Sequence, residues 1–155
     1  MEPVTLTPIG MVSSPRAEAF DDDWGSVTST VTLDGSRFGS QSLAGLDAFS
    51  HVEVVYVFDQ VDPDKVQSGA RHPRGNEDWP KVGIFAQRAK ARPNRIGVTV
   101  CSLLQVEGLT LTVNGLDAID GTPVLDIKTY MQEFGPRGEV CQPTWSHELM
   151  ASYWS

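Results

Sequence analysis

The sequence predicts a mainly β barrel of about seven short strands with two small helices. Three observations predict it. Short runs rich in valine, isoleucine and threonine recur along the chain, and several alternate with a period of two. Turn signals such as Asp34-Gly35, Glu107-Gly108 and Asn114-Gly115 separate them. Helical spacing is confined to two brief stretches. The 155 residues suit one domain, 1–155, and 40% hydrophobic with 21% charged residues is the composition of a globular protein. No linker, internal repeat or low-complexity segment divides it.

Residues 4–14 alternate loosely and start the fold as a strand that Ser14-Pro15 breaks. Residues 18–25, EAFDDDWG, form an acidic loop around Trp24. It reads either as a polar surface turn with Trp24 half-buried or as the lip of a ligand site. Residues 26–33, SVTSTVTL, place Val27, Val31 and Leu33 on one strand face and Thr28, Thr30 and Thr32 on the other. Residues 40–49 carry Leu43, Leu46 and Phe49 three apart, the spacing of one face of a short helix. HVEVVYVF, residues 51–58, is a near-continuous apolar strand and therefore central.

Residues 59–69 and 71–80 are loops. Residues 82–86 and 96–104 read as buried strands flanking the most basic stretch of the chain, KVGIFAQRAKARPNRIGVT at 81–99. Residues 96–106 and 109–114 form a strand pair. Residues 121–130 form another strand, in which Val124 falls one step out of alternation with Leu125 and Ile127, the sign of burial on both faces or of a bulge. In the tail, Trp145, Leu149 and Tyr153 recur every four residues behind Thr144, an amphipathic helix with a candidate cap. It would close an open barrel edge or pack on a second subunit.

The charge argues against broad nucleic-acid binding and leaves room for a focused kind. The net charge is −8, yet residues 71–95 hold seven cations against two acids, a net +5, with −13 on the other 130 residues. A positive patch on a negative body steers one anionic partner to one place. No apolar run approaches the length of a membrane span, and no basic, apolar leader opens the chain, so neither a transmembrane segment nor a signal peptide is expected. Cys101 lies in an apolar run and reads as a buried thiol; with Cys141 it gives neither metal spacing nor a disulfide framework, and a reducing cytoplasm is expected.

Familiar catalytic motifs are missing. There is no GxGxxG after a strand, no phosphate-loop spacing and no GxSxG, and His51, His72 and His147 are too scattered for zinc. His51, beside Ser50, reads as a structural hydrogen bonder. A site without a nucleophile suits a reaction whose hard chemistry sits in a bound cofactor. Two segments look purposeful. In 88–97, Arg92-Pro93-Asn94 stiffens the backbone, Asn94 can satisfy neighbouring amides, and Gly97 permits close approach. In 116–128, LDAIDGTPVLDIK, Asp117, Asp120, Asp126 and Lys128 surround a turn. One or two of these acids would cap the turn and another would pair with an arginine of the first segment; no metal is assigned.

IFAQRAKARPNRIGVTVCSLL resembles the first signature of the TsaA-like (TrmO) family, VFATRSPxRPNPIGxS, and GLDAIDGTPVLDIKTY resembles the second, DxxDGTPVxDIKPY. Pro8-Ile9-Gly10, Ser14-Pro15, Leu46 to His51 and His72-Pro73-Arg74 match other landmarks in order, so the likeness covers roughly residues 7–130. The resemblance implies a single-sheet antiparallel β-barrel that binds S-adenosylmethionine, acts as a homodimer and methylates N6 of threonylcarbamoyladenosine at position 37 of tRNA. It implies cofactor contacts from Asp59, Gln60, Arg88, Val98 and the turn of Leu116, Asp117 and Asp120. Arg92, Asn94 and Lys128 are left for architecture or substrate, and Arg95 for substrate. A general base is optional for such a transfer; an aspartate would serve, and the sequence does not single one out.

Departures from the pattern fall near the site. Asp21-Asp22-Asp23-Trp24 stands where the family often has Pro-Arg-Gln, a cofactor contact. Gln87 replaces Thr, Ala89-Lys90 replace Ser-Pro, Arg95 and Thr129 replace Pro, and Asp59 stands where the tRNA enzymes often have His. These changes keep two other readings open: a methyltransferase for a small or anionic metabolite, and a non-catalytic cofactor-binding module.

Overall fold

The computed structural model describes residues 1–155. Its centre is a closed antiparallel barrel of six strands in the order β1-β2-β7-β6-β3-β8. The strands are β1 (Gly10–Ser13), β2 (Thr28–Leu33), β3 (His51–Val57), β6 (Ile96–Glu107), β7 (Thr110–Asn114) and β8 (Pro123–Thr129). Two two-residue strands, β4 (Ala70–Arg71) and β5 (Val82–Gly83), pair outside it. Alternation decides which residues fill the barrel. Val12, Val31, Val52, Val54, Leu111, Val113 and Val124 point inward and are fully buried, with Leu116 closing one end. Each such side chain contributes about 1.5–3 kcal/mol on leaving water.

β3 is central, paired with β6 along its whole length and with β8 on the other side. The predicted slip around Val124 is a bulge: Val55 pairs with Asp126 but Tyr56 pairs with Val124, so Leu125 is the extra residue. Gly97 does permit a close approach, because a Cβ there would stand 2.5 Å from the Tyr56 ring. Cys101 is buried as expected, and burial, with the charge of Asp117 behind it, pushes its thiol up to about 12.

Four predicted elements differ. The first strand begins at Gly10 rather than residue 4. The helix read over 40–49 is two short 3-10 turns, Ser40–Leu43 and Leu46–Ala48, split by Gly45 at φ 84°. Leu43 and Leu46 still face the core, so the spacing marked burial correctly and helix length wrongly. Residues 82–86 are not a buried strand: β5 stops at Gly83 and a 3-10 turn follows, with Ile84 buried and Phe85 75% exposed. The tail helix α1 (Thr144–Met150) has Pro143 at its N-cap and no side-chain cap, so Thr144 lies inside the helix. The tail lies across loops at one end of the barrel, because the barrel closes strand to strand and leaves no edge for it to cover.

Candidate functional site

The carboxylate of Asp117 is the hub of that barrel end. It follows β7 after a turn at Gly115, which takes φ 79°, and sits between the buried Leu116 and Ala118. Tyr56, an inward residue of β3, donates its hydroxyl to Asp117 Oδ1 at 2.9 Å. Thr99, an inward residue of β6, donates to the same oxygen. Tyr153, from the tail, donates to Oδ2. Burial and the adjacent Asp117 charge push both tyrosine hydroxyls well above the usual phenol range, so they remain donors at neutral pH.

The two signature segments meet here. Arg88 is exposed and donates Nη2 to the Val98 carbonyl at 2.7 Å. Val98 precedes Thr99, so Arg88, Val98, Leu116 and Asp117 gather at one end of the barrel. Asp120 is exposed and also fixes the turn. Its Oδ1 accepts from the Ser14 amide at 3.0 Å, and its own amide donates to the Arg16 carbonyl at 2.8 Å. Asp59 and Gln60 lie one loop away at the end of β3, bonded to each other at 3.0 Å, with the Phe58 amide on the Arg95 carbonyl.

The remaining cations divide differently from expectation. Arg92 donates to the Gln87 carbonyl at 2.7 Å and Arg95 to the Val61 carbonyl at 2.8 Å, so both guanidiniums brace the loop. Asn94 and Arg95 take left-handed backbone, φ 63° and 51°, and Asn94 shapes the turn through that conformation. Lys128 pairs with Asp126 at 2.7 Å, exposed on the outside of β8, and that hydrogen bond raises the lysine above its usual range. The expected pairing of a second-segment acid with a first-segment arginine is therefore absent: Asp126 meets its own strand neighbour, for which no loop has to be crossed.

The acidic loop is a packed structure. Trp24 is 3% exposed rather than half-buried, and Arg16 stacks on its ring at 3.8 Å while donating to the Asp22 and Asp23 carbonyls. Asp22 pairs with Arg74 at 2.9 Å. An open cleft of about 430 Å³ borders this loop, lined by Arg16, Phe20, Asp21, Asp22 and Asp23. Gln87 is buried and donates to the Arg71 and Val82 carbonyls, tying the cationic loop to the preceding one. His51 bonds Ser50 at 2.7 Å, the structural role expected of it.

Tyr56, Thr99 and Tyr153 were not singled out by the sequence. Tyr56 and Thr99 carry only the signal of inward register, which marks every core residue. Tyr153 carries only helical spacing, which marks any packed face.

The sequence model of the family described as the tRNA-methyltransferase O N-terminal domain matches residues 14–135. A human protein named tRNA (adenine(37)-N6)-methyltransferase is 41% identical over 102 residues, 66% of this chain and 23% of that protein. An S-adenosyl-L-methionine-binding protein of Archaeoglobus fulgidus is 35% identical over 136 residues, 83% of this chain and 90% of that one. The crystal structure of TrmO from Pseudomonas aeruginosa superposes with a TM-score of 0.73 at 29% identity, covering 90% of this chain and 61% of that chain. The chain thus spans about a quarter of the mammalian relatives it matches and most of the archaeal one. With a shared barrel and a match across both signature segments, the chain belongs to the tRNA-methyltransferase O N-terminal domain family.

Proposed function

We propose that this chain is an S-adenosylmethionine-dependent methyltransferase acting on N6 of threonylcarbamoyladenosine at position 37 of tRNA. The observation that carries the reading is the convergence of Arg88, Val98, Leu116 and Asp117, from two distant signature segments, on one barrel end. The names of the human and archaeal relatives support both the activity and the cofactor.

The residues fit that cofactor chemically. Arg88 has spent one of its five N–H groups and is exposed, free to meet a carboxylate in a forked pair. Asp117 offers carboxylate oxygens for an ammonium or for ribose hydroxyls, held in one orientation by its hydroxyl donors. The cofactor, when bound, supplies an electrophilic methyl group. What the chain adds is alignment of donor and acceptor and a partly dry site, which together account for much of such a rate enhancement. Asp117, occupied by three hydroxyls, is arranged as an anchor. Asp59 is exposed near the cationic loop and is the freer carboxylate to receive the N6 proton. Lys90, exposed, with the outer surfaces of Arg92, Asn94 and Arg95, would face the anticodon loop; Lys128 would lie farther off. We assign Asp59, Gln60 and Asp120 to the rim of the cofactor site.

A second reading is a methyltransferase for a small anionic metabolite. It is favoured by Arg92 and Arg95, which are half-buried with one N–H each on a backbone carbonyl and so make a poorer clamp for a phosphate chain than exposed cations. Mass spectrometry of tRNA nucleosides from a deletion strain, before and after adding the protein and the cofactor, separates the two. Loss and recovery of methylated threonylcarbamoyladenosine is the result expected; an unchanged profile overturns the tRNA reading.

We also propose a homodimer and a cytoplasmic location. Val100 and Leu104 on β6, and Phe85 in the turn after β5, are exposed apolar side chains that a second copy would cover. Two free thiols, Cys101 and Cys141, suit a reducing compartment. No helix is long and apolar enough to cross a membrane. Sedimentation equilibrium giving a single-chain mass would remove the dimer.

A further inference from the structure

Residues 144–155 lie beyond the stretch that the family match covers, yet they reach the middle of the site. The tail is fastened at several points. Trp79, in the loop before the cationic segment, donates Nε1 to Glu148 Oε2 at 2.7 Å. The Asp23 amide donates to the Ser152 carbonyl at 3.0 Å and the Trp24 amide to the Tyr153 carbonyl at 2.8 Å. Gly25 lies so close that a Cβ there would stand 2.1 Å from the Trp154 carbonyl oxygen. The loop receiving the tail is itself fixed, by Asp22 on Arg74 and by Arg16 stacked on Trp24. The Tyr153 ring rests edge-on against Trp154, 4.8 Å between centroids, and its hydroxyl meets Asp117 Oδ2.

We propose that Tyr153 is a positioning residue for the cofactor site, holding the Asp117 carboxylate in its binding orientation. The proposal rests on the reading above that Asp117 contacts S-adenosylmethionine. The division of donors argues for it. Tyr56 and Thr99 both bond Oδ1, so they fix one oxygen and leave the carboxylate able to tilt about it. Tyr153 is the side-chain donor on Oδ2, and only with it are both oxygens held. Burial and Asp117 keep its hydroxyl protonated, so it donates across the neutral range. The loop of residues 21–24, where the family often has Pro-Arg-Gln, serves here as the seat for the tail. A wall of the site is thereby supplied by the end of the chain.

The test is calorimetric titration of S-adenosylhomocysteine, which is not consumed, into the full chain, Tyr153→Phe, Asp117→Asn and the double variant. Tyr153→Phe removes one hydroxyl and keeps the ring against Trp154; circular dichroism and melting check the fold. We expect Tyr153→Phe to weaken binding roughly tenfold, the size of one charge-assisted hydrogen bond. In the Asp117→Asn background the same change should cost less than about twofold, because there is no longer a carboxylate to hold. A role in folding alone would lower the melting temperature in both backgrounds without this coupling. Unchanged affinity of Tyr153→Phe, or an equal loss in both backgrounds, overturns the inference while the cofactor reading stands. No binding by the unaltered chain overturns both, and binding indifferent to Asp117→Asn overturns the Asp117 contact and this inference with it.

Discussion

Arg88 and the tyrosines around Asp117 carry the sharpest expectations. Arg88 is exposed and makes one hydrogen bond to the Val98 carbonyl. Arg88→Ala should therefore cost only about 1 kcal/mol of stability, a fall of a few degrees in melting temperature. Its affinity for S-adenosylmethionine should drop at least roughly tenfold, because a forked pair to a carboxylate is lost. Calorimetry returning the original affinity would remove Arg88 from the site. Tyr56 and Tyr153 set an alkaline limit. Their hydroxyls are held above the phenol range by burial and by Asp117, so the folded state keeps protons that the unfolded state releases. The stability they contribute is complete below about pH 10, where a free tyrosine titrates, and is lost as the pH rises beyond it. Melting curves from pH 8 to 11 should show a steeper fall for the unaltered chain than for Tyr153→Phe; parallel curves would mean that Tyr153 ionises freely. Asp117 was legible in the sequence as part of an acid-rich turn. Its hydroxyl partners were not, because they come from β3, β6 and the tail, and nothing local to any of the three announces the others.

Between elements, close approach decides more than propensity. β3 and β6 meet so tightly that Gly97 faces the Tyr56 ring, with a Cβ position 2.5 Å from it. Gly97→Ala must displace the ring that serves Asp117, and overpacking of this kind costs about 1–3 kcal/mol. Gly83→Ala is the control: φ is −61° and nothing lies within 4 Å of its Cβ position, so it should stay within about 0.5 kcal/mol. Urea midpoints compare the two, and equal stability would mean that Tyr56 moves aside freely. The elements misread from sequence share a cause. Residues 40–49 and 82–86 bury only Leu43 and Leu46, or Ile84, and are too short for regular hydrogen bonding, so they settle as 3-10 turns. Spacing says which side chains are buried; it does not say what backbone carries them.

For the whole molecule, charge distribution sets the expectation. On the proposed tRNA reading, an acidic body with a basic loop should engage few phosphates, with a shallow dependence on salt. Lys90→Ala should flatten the log–log salt slope by about 0.7–0.9, one phosphate contact, without changing the melting temperature. Arg92→Ala should lower the melting temperature as well, since its guanidinium braces the Gln87 carbonyl. A salt slope unmoved by Lys90→Ala would place the docking surface elsewhere.

The sequence by itself determined the mainly β class, the inward face of β2, the slip in alternation near Val124, the buried thiol and the two signature segments. Each of these is written in local patterning: a period of two, an alternation slip, an apolar run, a long signature. Only the tertiary structure decided that six strands close the barrel, that Arg92 and Arg95 brace the loop, and that Asp126 pairs with Lys128. It alone brought Tyr153 back to Asp117 across 36 positions of chain. The physical reason is that a hydrogen bond between distant residues leaves no periodicity at either end. It exists only once the barrel has fixed both in place.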